Sequence, residues 1–171
     1  RVVPVIRKLK KEFDIPVSID TYKSAVAAAA IEAGADLVND IWGLKYDSKM
    51  AGLIAKTGVA CCLMHNRENT DYQNFLADFM DDMKECAKDA GIADDRIILD
   101  PGVGFGKTYE MNLEIIDKLE IMKELGYPVL LGTSRKSVIG LTLDLPVEER
   151  EEGTMVTTVY GVQKGCAFVR V

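Results

Sequence analysis

The chain has 171 residues, 48% of them hydrophobic and 28% charged, with a formal net charge of −6. That supplies a sizeable core, and an acidic balance with no basic stripe excludes a general nucleic-acid-binding surface. No apolar run approaches the roughly 18 residues of a membrane-spanning helix and no leader peptide is recognisable, so no membrane partner is expected and the expected setting is the cytoplasm.

In chain order, Val5 to Phe13 carries helical spacing, with Val5, Ile6 and Leu9 apolar among Arg7, Lys8, Lys10 and Lys11. Asp14-Ile15-Pro16 breaks to a first strand, Val17-Ser18-Ile19-Asp20. Thr21 reads as the N-cap of an alanine-rich helix, Tyr22 to Ala33, closed by Gly34. A second strand, Leu37-Val38-Asn39-Asp40, precedes a short helix from Ser48 to Lys56 with Thr57-Gly58 as its stop. The third strand is Cys61-Cys62-Leu63-Met64-His65. After the polar loop Asn66 to Thr70, the spacing of Phe75, Phe79, Met83 and Ala87 predicts an amphipathic helix from Phe75 to Ala90. Ile97-Ile98-Leu99-Asp100 is the fourth strand, Asn112 to Leu125 the next helix, and Val129 to Lys136 the fifth strand with its turn. Glu148 to Lys164 is helical with Gly153 and Gly161 inside it, and Phe168-Val169-Arg170 is the sixth strand.

Short continuous apolar runs are the mark of parallel strands covered by helices on both faces. The unbroken alternation of such strands with helices predicts an α/β fold with a parallel sheet, a single domain over residues 1–171. Six strands do not close an eight-stranded barrel. Either the sheet is doubly wound, or this is a TIM (β/α)8 barrel with only about strands 3 to 8 present, which the cut-looking ends favour. Polar residues at the C-terminal ends of strands are where such a barrel places its chemistry.

Asp100-Pro101-Gly102-Val103-Gly104-Phe105-Gly106-Lys107-Thr108 superficially suggests two nucleotide motifs and fits neither. A P-loop needs glycine where Pro101 stands, and the dinucleotide fingerprint needs wider spacing than Gly102, Gly104 and Gly106 offer. What remains is a glycine-rich loop after a strand ending in a carboxylate, suited either to close approach of a flat ligand or to a tight turn. Asp20 and Asp100 need donors if buried, and Asp20 is alternatively a helix cap. Asn39 offers both donor and acceptor, or serves as a turn residue. Gly132-Thr133-Ser134-Arg135-Lys136-Ser137 is dense in anion-binding groups, and Arg170 suits a phosphate. Met64 faces a ligand ring or the core, His65 reads as structural, and Trp42 as loop packing. Cys61, Cys62, Cys86 and Cys166 show no C-x-x-C spacing and read as free thiols; with one histidine, no zinc site is expected.

Taken together, Ser18-Ile19-Asp20-Thr21-Tyr22-Lys23, Asn39-Asp40-Ile41, Met64-His65-Asn66-Arg67, the Asp100 to Thr108 loop, Gly132 to Ser137 and Gly161 to Val171 closely resemble dihydropteroate synthase along the whole chain. The resemblance implies a TIM barrel, represented here without the first two strands and the last helix. It implies a transferase that condenses 6-hydroxymethyl-7,8-dihydropterin diphosphate with p-aminobenzoate, releasing pyrophosphate, and that sulfonamides inhibit. By the same resemblance Asp20, Asp100 and Lys136 carry catalysis. Asp20, Asn39, Met64, Asp100, Phe105, Lys136 and Arg170 surround the pterin. Lys136 and Ser137 hold p-aminobenzoate, and Arg170 lies near the diphosphate. Mg²⁺ is implied, with its ligand residue outside this chain. A homodimer is expected, since Met155, Val156, Val159, Tyr160 and Val162 outnumber the charges on their helix. The alternatives are a methyltetrahydrofolate-corrinoid methyltransferase-like pterin-binding protein, and a barrel-like binding module without activity.

Overall fold

Helices and strands alternate in a computed structural model that describes residues 1–88 and 91–171. The elements are α1 (Val2–Glu12), β1 (Ser18–Asp20), α2 (Ser24–Glu32), β2 (Leu37–Asp40), α3 (Met50–Thr57), β3 (Ala60–Met64), α4 (Phe75–Lys88), β4 (Ile97–Asp100), α5 (Tyr109–Asp117), β5 (Leu130–Gly132), α6 (Ser137–Leu143), α7 (Glu151–Lys164) and β6 (Phe168–Arg170). Turns of 3-10 helix occupy Asp94–Arg96, Leu119–Leu125 and Val147–Glu149. Each strand lies on a predicted apolar run, with β3 beginning one residue earlier. The predicted end of α4 at Ala90 lies outside the described residues.

The described chain forms two compact units, Arg1–Met64 with Glu85–Ile98, and His65–Lys84 with Leu99–Val171. In the first, β1, β2 and β3 form a parallel sheet in that order, with Ile19 opposite Val38 and Val38 opposite Cys61. Helix α2 packs on α1 and α3. Its fully buried Ala27 and Ala30 carry no bulk beyond Cβ, which lets neighbours approach and loses no rotamer freedom. Lys10 pairs with Asp36 at 2.9 Å, and Asp36 accepts the Val17 N–H at 2.7 Å, anchoring α1 to the entry of β1.

In the second unit, Leu99 bridges Val129 in parallel, and β5 pairs with β6, placing Gly132 opposite Arg170. Thr108 caps α5 by accepting the Met111 N–H at 3.3 Å. Helix α7 begins with Glu151 and Glu152, whose charges oppose the helix dipole favourably, and it packs on α6 and β6. Gly153 and Gly161 sit inside α7 because a Cβ at either would overlap Ile139 or Leu131.

Four expectations need correction. Thr21 does not cap α2; its hydroxyl accepts the Lys23 N–H at 3.1 Å, and the Ser24 N–H goes instead to Asp47 at 2.8 Å. The predicted Asn112 to Leu125 helix is α5 followed by a 3-10 segment, whose three-residue turn puts Leu119 and Met122 on one buried side. Helix α6 was expected only as a start at Ser137. Its seven residues include Gly140 and three β-branched side chains, weak local signals for a helix. It is held by burial of Val138 and Ile139, and Gly140 is needed because a Cβ would overlap the Arg150 guanidinium. Finally, β6 is exposed at all three residues and β1 is buried only at Ile19, so neither is a fully covered strand.

Candidate functional site at the strand ends

In the first unit, Asp20 ends β1 directly beside Asn39, the penultimate residue of β2. Parallel register brings them together, and the Asn39 amide donates to Asp20 Oδ1 at 2.7 Å. That bond orients the amide. Asn39 is buried, and its Oδ1 has no hydrogen-bond partner among the described residues. An unmet buried acceptor typically costs about 1–3 kcal/mol, so the site favours an incoming donor. Asp20 itself is exposed, contrary to the buried carboxylate considered from sequence. A cavity of about 330 Å³ opens beside it, lined by Asp20, Thr21, Tyr22, Lys23 and Ile41. Met64 is buried at the end of β3.

The next residue along β2 has a different task. Asp40 is fully buried and accepts the Trp42 and Leu44 N–H groups at 2.9 and 3.1 Å. It holds the turn in which Leu44 takes a left-handed backbone at φ 71. Burial raises its carboxyl above the ordinary range against those two bonds. Trp42 and Tyr46 lie 6.2 Å apart between ring centres, so Trp42 packs within its loop.

In the second unit, Asp100 ends β4 almost fully buried. Its Oδ1 accepts the Gly102 N–H at 2.7 Å. Burial pushes its pKa up to about 6, opposed by the Gly102 bond and by the charges of Lys136, Lys107 and Arg170. Gly132 stands beside it. A Cβ built there would lie 3.9 Å from both Asp100 Oδ2 and Arg170 Cβ, so glycine leaves open the space next to that oxygen. Lys136 donates to the Val103 carbonyl and lies over the Phe105 ring at 4.6 Å from its centre. Burial lowers its pKa, Asp100 raises it and Arg170 lowers it.

Asp100, Phe105, Lys136 and Arg170 therefore gather around one end of this unit's strands. Ser137 is exposed at the first position of α6. The turn before it is gripped by α7: Arg135, at φ 52, donates its N–H to Thr154 at 2.9 Å and accepts from Arg150 at 3.0 Å. Sequence reasoning passed over Lys107. Its ammonium contacts His65 Nδ1 at 2.8 Å, 42 positions away, and no local pattern signals such a pair. His65 is buried and bonded to Asp82 at 2.9 Å, consistent with a structural role. The four cysteines are free, and burial pushes the Cys61 thiol up to about 12, where it is inert.

Comparison with known proteins bears on this geometry. A family model described as "Pterin binding enzyme" matches residues 1–171. A curated dihydropteroate synthase from Clostridium beijerinckii is 66% identical over 175 residues, covering all of this chain and 65% of that protein. Among solved structures, the dihydropteroate synthase of Clostridium difficile in the presence of pteroic acid aligns with a TM-score of 0.96 at 50% identity, over the whole chain and 66% of that structure. The Thermus thermophilus enzyme in complex with 6HMPPP gives 0.93 at 36% identity, over the whole chain and 69% of that structure. The chain thus spans about 65% of the length of the curated relative it matches. Over that part it shares the α/β fold of these TIM barrels.

Proposed function

We propose a function from a premise that the comparisons establish: this chain belongs to the pterin binding enzyme family and, within it, to the dihydropteroate synthases. Its residues then serve the condensation of 6-hydroxymethyl-7,8-dihydropterin diphosphate with p-aminobenzoate, a transferase step of folate biosynthesis. Asp100 carries this reading. It is buried and bonded through Oδ1 to its own loop, while Oδ2 lies beside the space left by Gly132. The adjacent 2-amino and N3 donors of a pterin suit such a carboxylate. When the C–O bond to the diphosphate breaks, positive charge builds on the pterin methylene, and the fixed carboxylate stabilises it. Pyrophosphate leaves with the electron pair of that bond, the arylamine nitrogen bonds to the methylene carbon through its lone pair, and the nitrogen gives up one proton to solvent.

Lys136 contacts the pterin carbonyl and ring nitrogen, Phe105 packs near the ring, and Arg170 lies along it toward the diphosphate. In the first unit, Asn39 Oδ1 is a buried acceptor without a hydrogen-bond partner among the described residues, suited to a ligand's N–H donor. Ser137 and Lys136 hold the carboxylate of p-aminobenzoate, and sulfonamides compete there. Among the described residues no group of three or more His, Cys, Asp or Glu is placed to hold a metal ion. Mg²⁺, which the family resemblance implies, is expected to take its ligand from a residue outside this chain. No helix of the described chain is long and apolar enough to cross a membrane.

The decisive assay mixes the whole protein with both substrates and follows dihydropteroate and pyrophosphate. Equal amounts of the two are expected. Pterin affinity should also fall about tenfold per pH unit below about 6, because protonated Asp100 loses the acceptor that the pterin donors need. No product, together with pteroic acid binding that ignores pH, would overturn the assignment.

The protein also works as a homodimer joined through α7. Met155, Val156, Val159 and Val162 are each more than half exposed on that helix, an apolar surface beyond what a solvated face needs. Light scattering of the whole protein at micromolar concentration should give twice the monomer mass; a monomer mass would count against the interface.

A further inference from the structure

We infer that Lys107 is a positioning residue of the pterin site: it braces the glycine-rich loop through its carbonyls and is one of the cations that face Asp100. This inference rests on the pterin reading above.

Lys107 lies two residues past Phe105, yet its side chain turns back under the loop. Its Nζ meets three acceptors, His65 Nδ1 at 2.8 Å, the Phe105 carbonyl at 3.0 Å and the Gly102 carbonyl at 3.1 Å. An ammonium has three N–H bonds and no acceptor, so all three are used and none is left to spare. The ring of Phe79 lies 5.8 Å away. A buried cation is tolerated only when so completely paired.

The partners form a closed circuit. An ammonium donating to Nδ1 leaves Nε2 of His65 to donate to Asp82 Oδ2 at 2.9 Å. Arg67 donates to the same oxygen at 2.6 Å and lies 4.3 Å from the centre of the Tyr72 ring. Tyr72 donates its hydroxyl to the Gly106 carbonyl at 2.7 Å, which returns the chain of contacts to the loop. Gly102, Phe105 and Gly106 are thus held by their carbonyls, while the Gly102 N–H is held by Asp100. Gly102 is therefore held at both of its backbone groups, its N–H by Asp100 and its carbonyl, in the next peptide, by Lys107.

The charges have the same arrangement. Lys107 is faced by Asp100, Lys136, Asp82 and Arg67, with His65 in direct contact; Asp100 is faced by Lys136, Lys107 and Arg170, and its charge reaches Cys166. Arg67 and Asp82 satisfy each other, and of the cations that face Asp100 Lys136 has the largest influence, followed by Lys107 and Arg170. Burial lowers the Lys107 pKa to about 7, and the Asp100 charge is the largest influence opposing that.

The test compares the whole wild-type protein with Lys107→Met and Lys107→Arg by calorimetric titration of pteroic acid from pH 5 to 9. Lys107→Met should bind at least about tenfold more weakly at neutral pH. The midpoint of its acid limb should rise by about one pH unit, since Asp100 loses a stabilising cation. Lys107→Arg keeps the charge and should keep the wild-type midpoint. A uniform loss at every pH with an unmoved midpoint, or no loss, would make Lys107 a structural plug and overturn the inference. Should Lys107→Met fail to fold, the double variant Lys107→Met/Asp100→Asn decides. Charges that serve each other give compensating losses, so the double variant should fold and melt near Asp100→Asn. Additive losses would overturn the inference. Wild-type protein that binds no pteroic acid would instead defeat the functional reading, while the melting comparison still tests the Lys107–Asp100 coupling.

Discussion

Asp100→Asn is expected to lower pterin affinity by at least about ten- to a hundredfold while leaving the fold intact. The asparagine carbonyl can keep the Gly102 N–H bond made by Oδ1 at 2.7 Å. Its NH2 then falls where Oδ2 stood, beside the space at Gly132, and turns a donor toward the donors of the pterin. Losing a hydrogen bond to a charged group costs about 1.5–3 kcal/mol, and a mismatched buried donor adds to that. Calorimetry with pteroic acid measures the affinity, and thermal melting reports the fold. Unchanged affinity would remove Asp100 from the pterin site. A collapsed melting temperature would make it a structural residue instead.

Gly106→Ala should produce the larger stability effect. Gly106 has φ 53, and a Cβ there would sit 2.7 Å from both the amide nitrogen and the carbonyl oxygen of Arg67. These are backbone atoms, so they do not swing aside as a side chain does. Left-handed backbone costs a non-glycine residue about 1–2 kcal/mol, and overpacking costs about 1–3 kcal/mol more. At about 2–4 °C per kcal/mol for a chain of this size, the melting temperature should fall by roughly 5–15 °C. Gly58→Ala is the matched control. Its φ is 67, but nothing lies within 4 Å of the added atom, so it should show the backbone cost alone. Equal melting temperatures for the two variants would show that the loop does not approach Arg67 as closely as described. The same approach lets Tyr72 reach the Gly106 carbonyl, so pterin affinity should fall along with stability in Gly106→Ala.

Much of the architecture was present in local patterns. Strand runs such as Leu37–Asp40 and Ile97–Asp100 are recognisable because backbone geometry and helix cover demand short apolar segments. The amphipathic stripe of α4 was equally plain, and Phe79 and Met83 on it are fully buried. The strand-end motifs identified Asp20, Asn39, Asp100, Lys136 and Arg170 as polar groups set at the ends of apolar runs. They also carried the resemblance that the family match supports.

What escaped was whatever depends on distant parts of the chain. Asp20, Asp40 and Asp100 all close strands, yet the first is exposed, the second is a fully buried turn clamp, and the third is a buried acceptor with a pKa near 6. Sequence pattern states only that a carboxylate ends a strand. Its desolvation is set by what packs around it, and desolvation is the largest influence on the buried pair. The start of α2 is held by Asp47 from 23 positions away, and α6 is stabilised by packing against α5 and α7 with Val138 and Ile139 buried, not by the propensity of its seven residues. Lys107 and His65 meet across 42 positions. Periodicity and capping are short-range and can be read along the chain. Burial, charge pairing and helices of weak propensity are settled only when remote segments come into contact, which is why the placement of these polar residues at strand ends was legible and their burial, protonation and support were not.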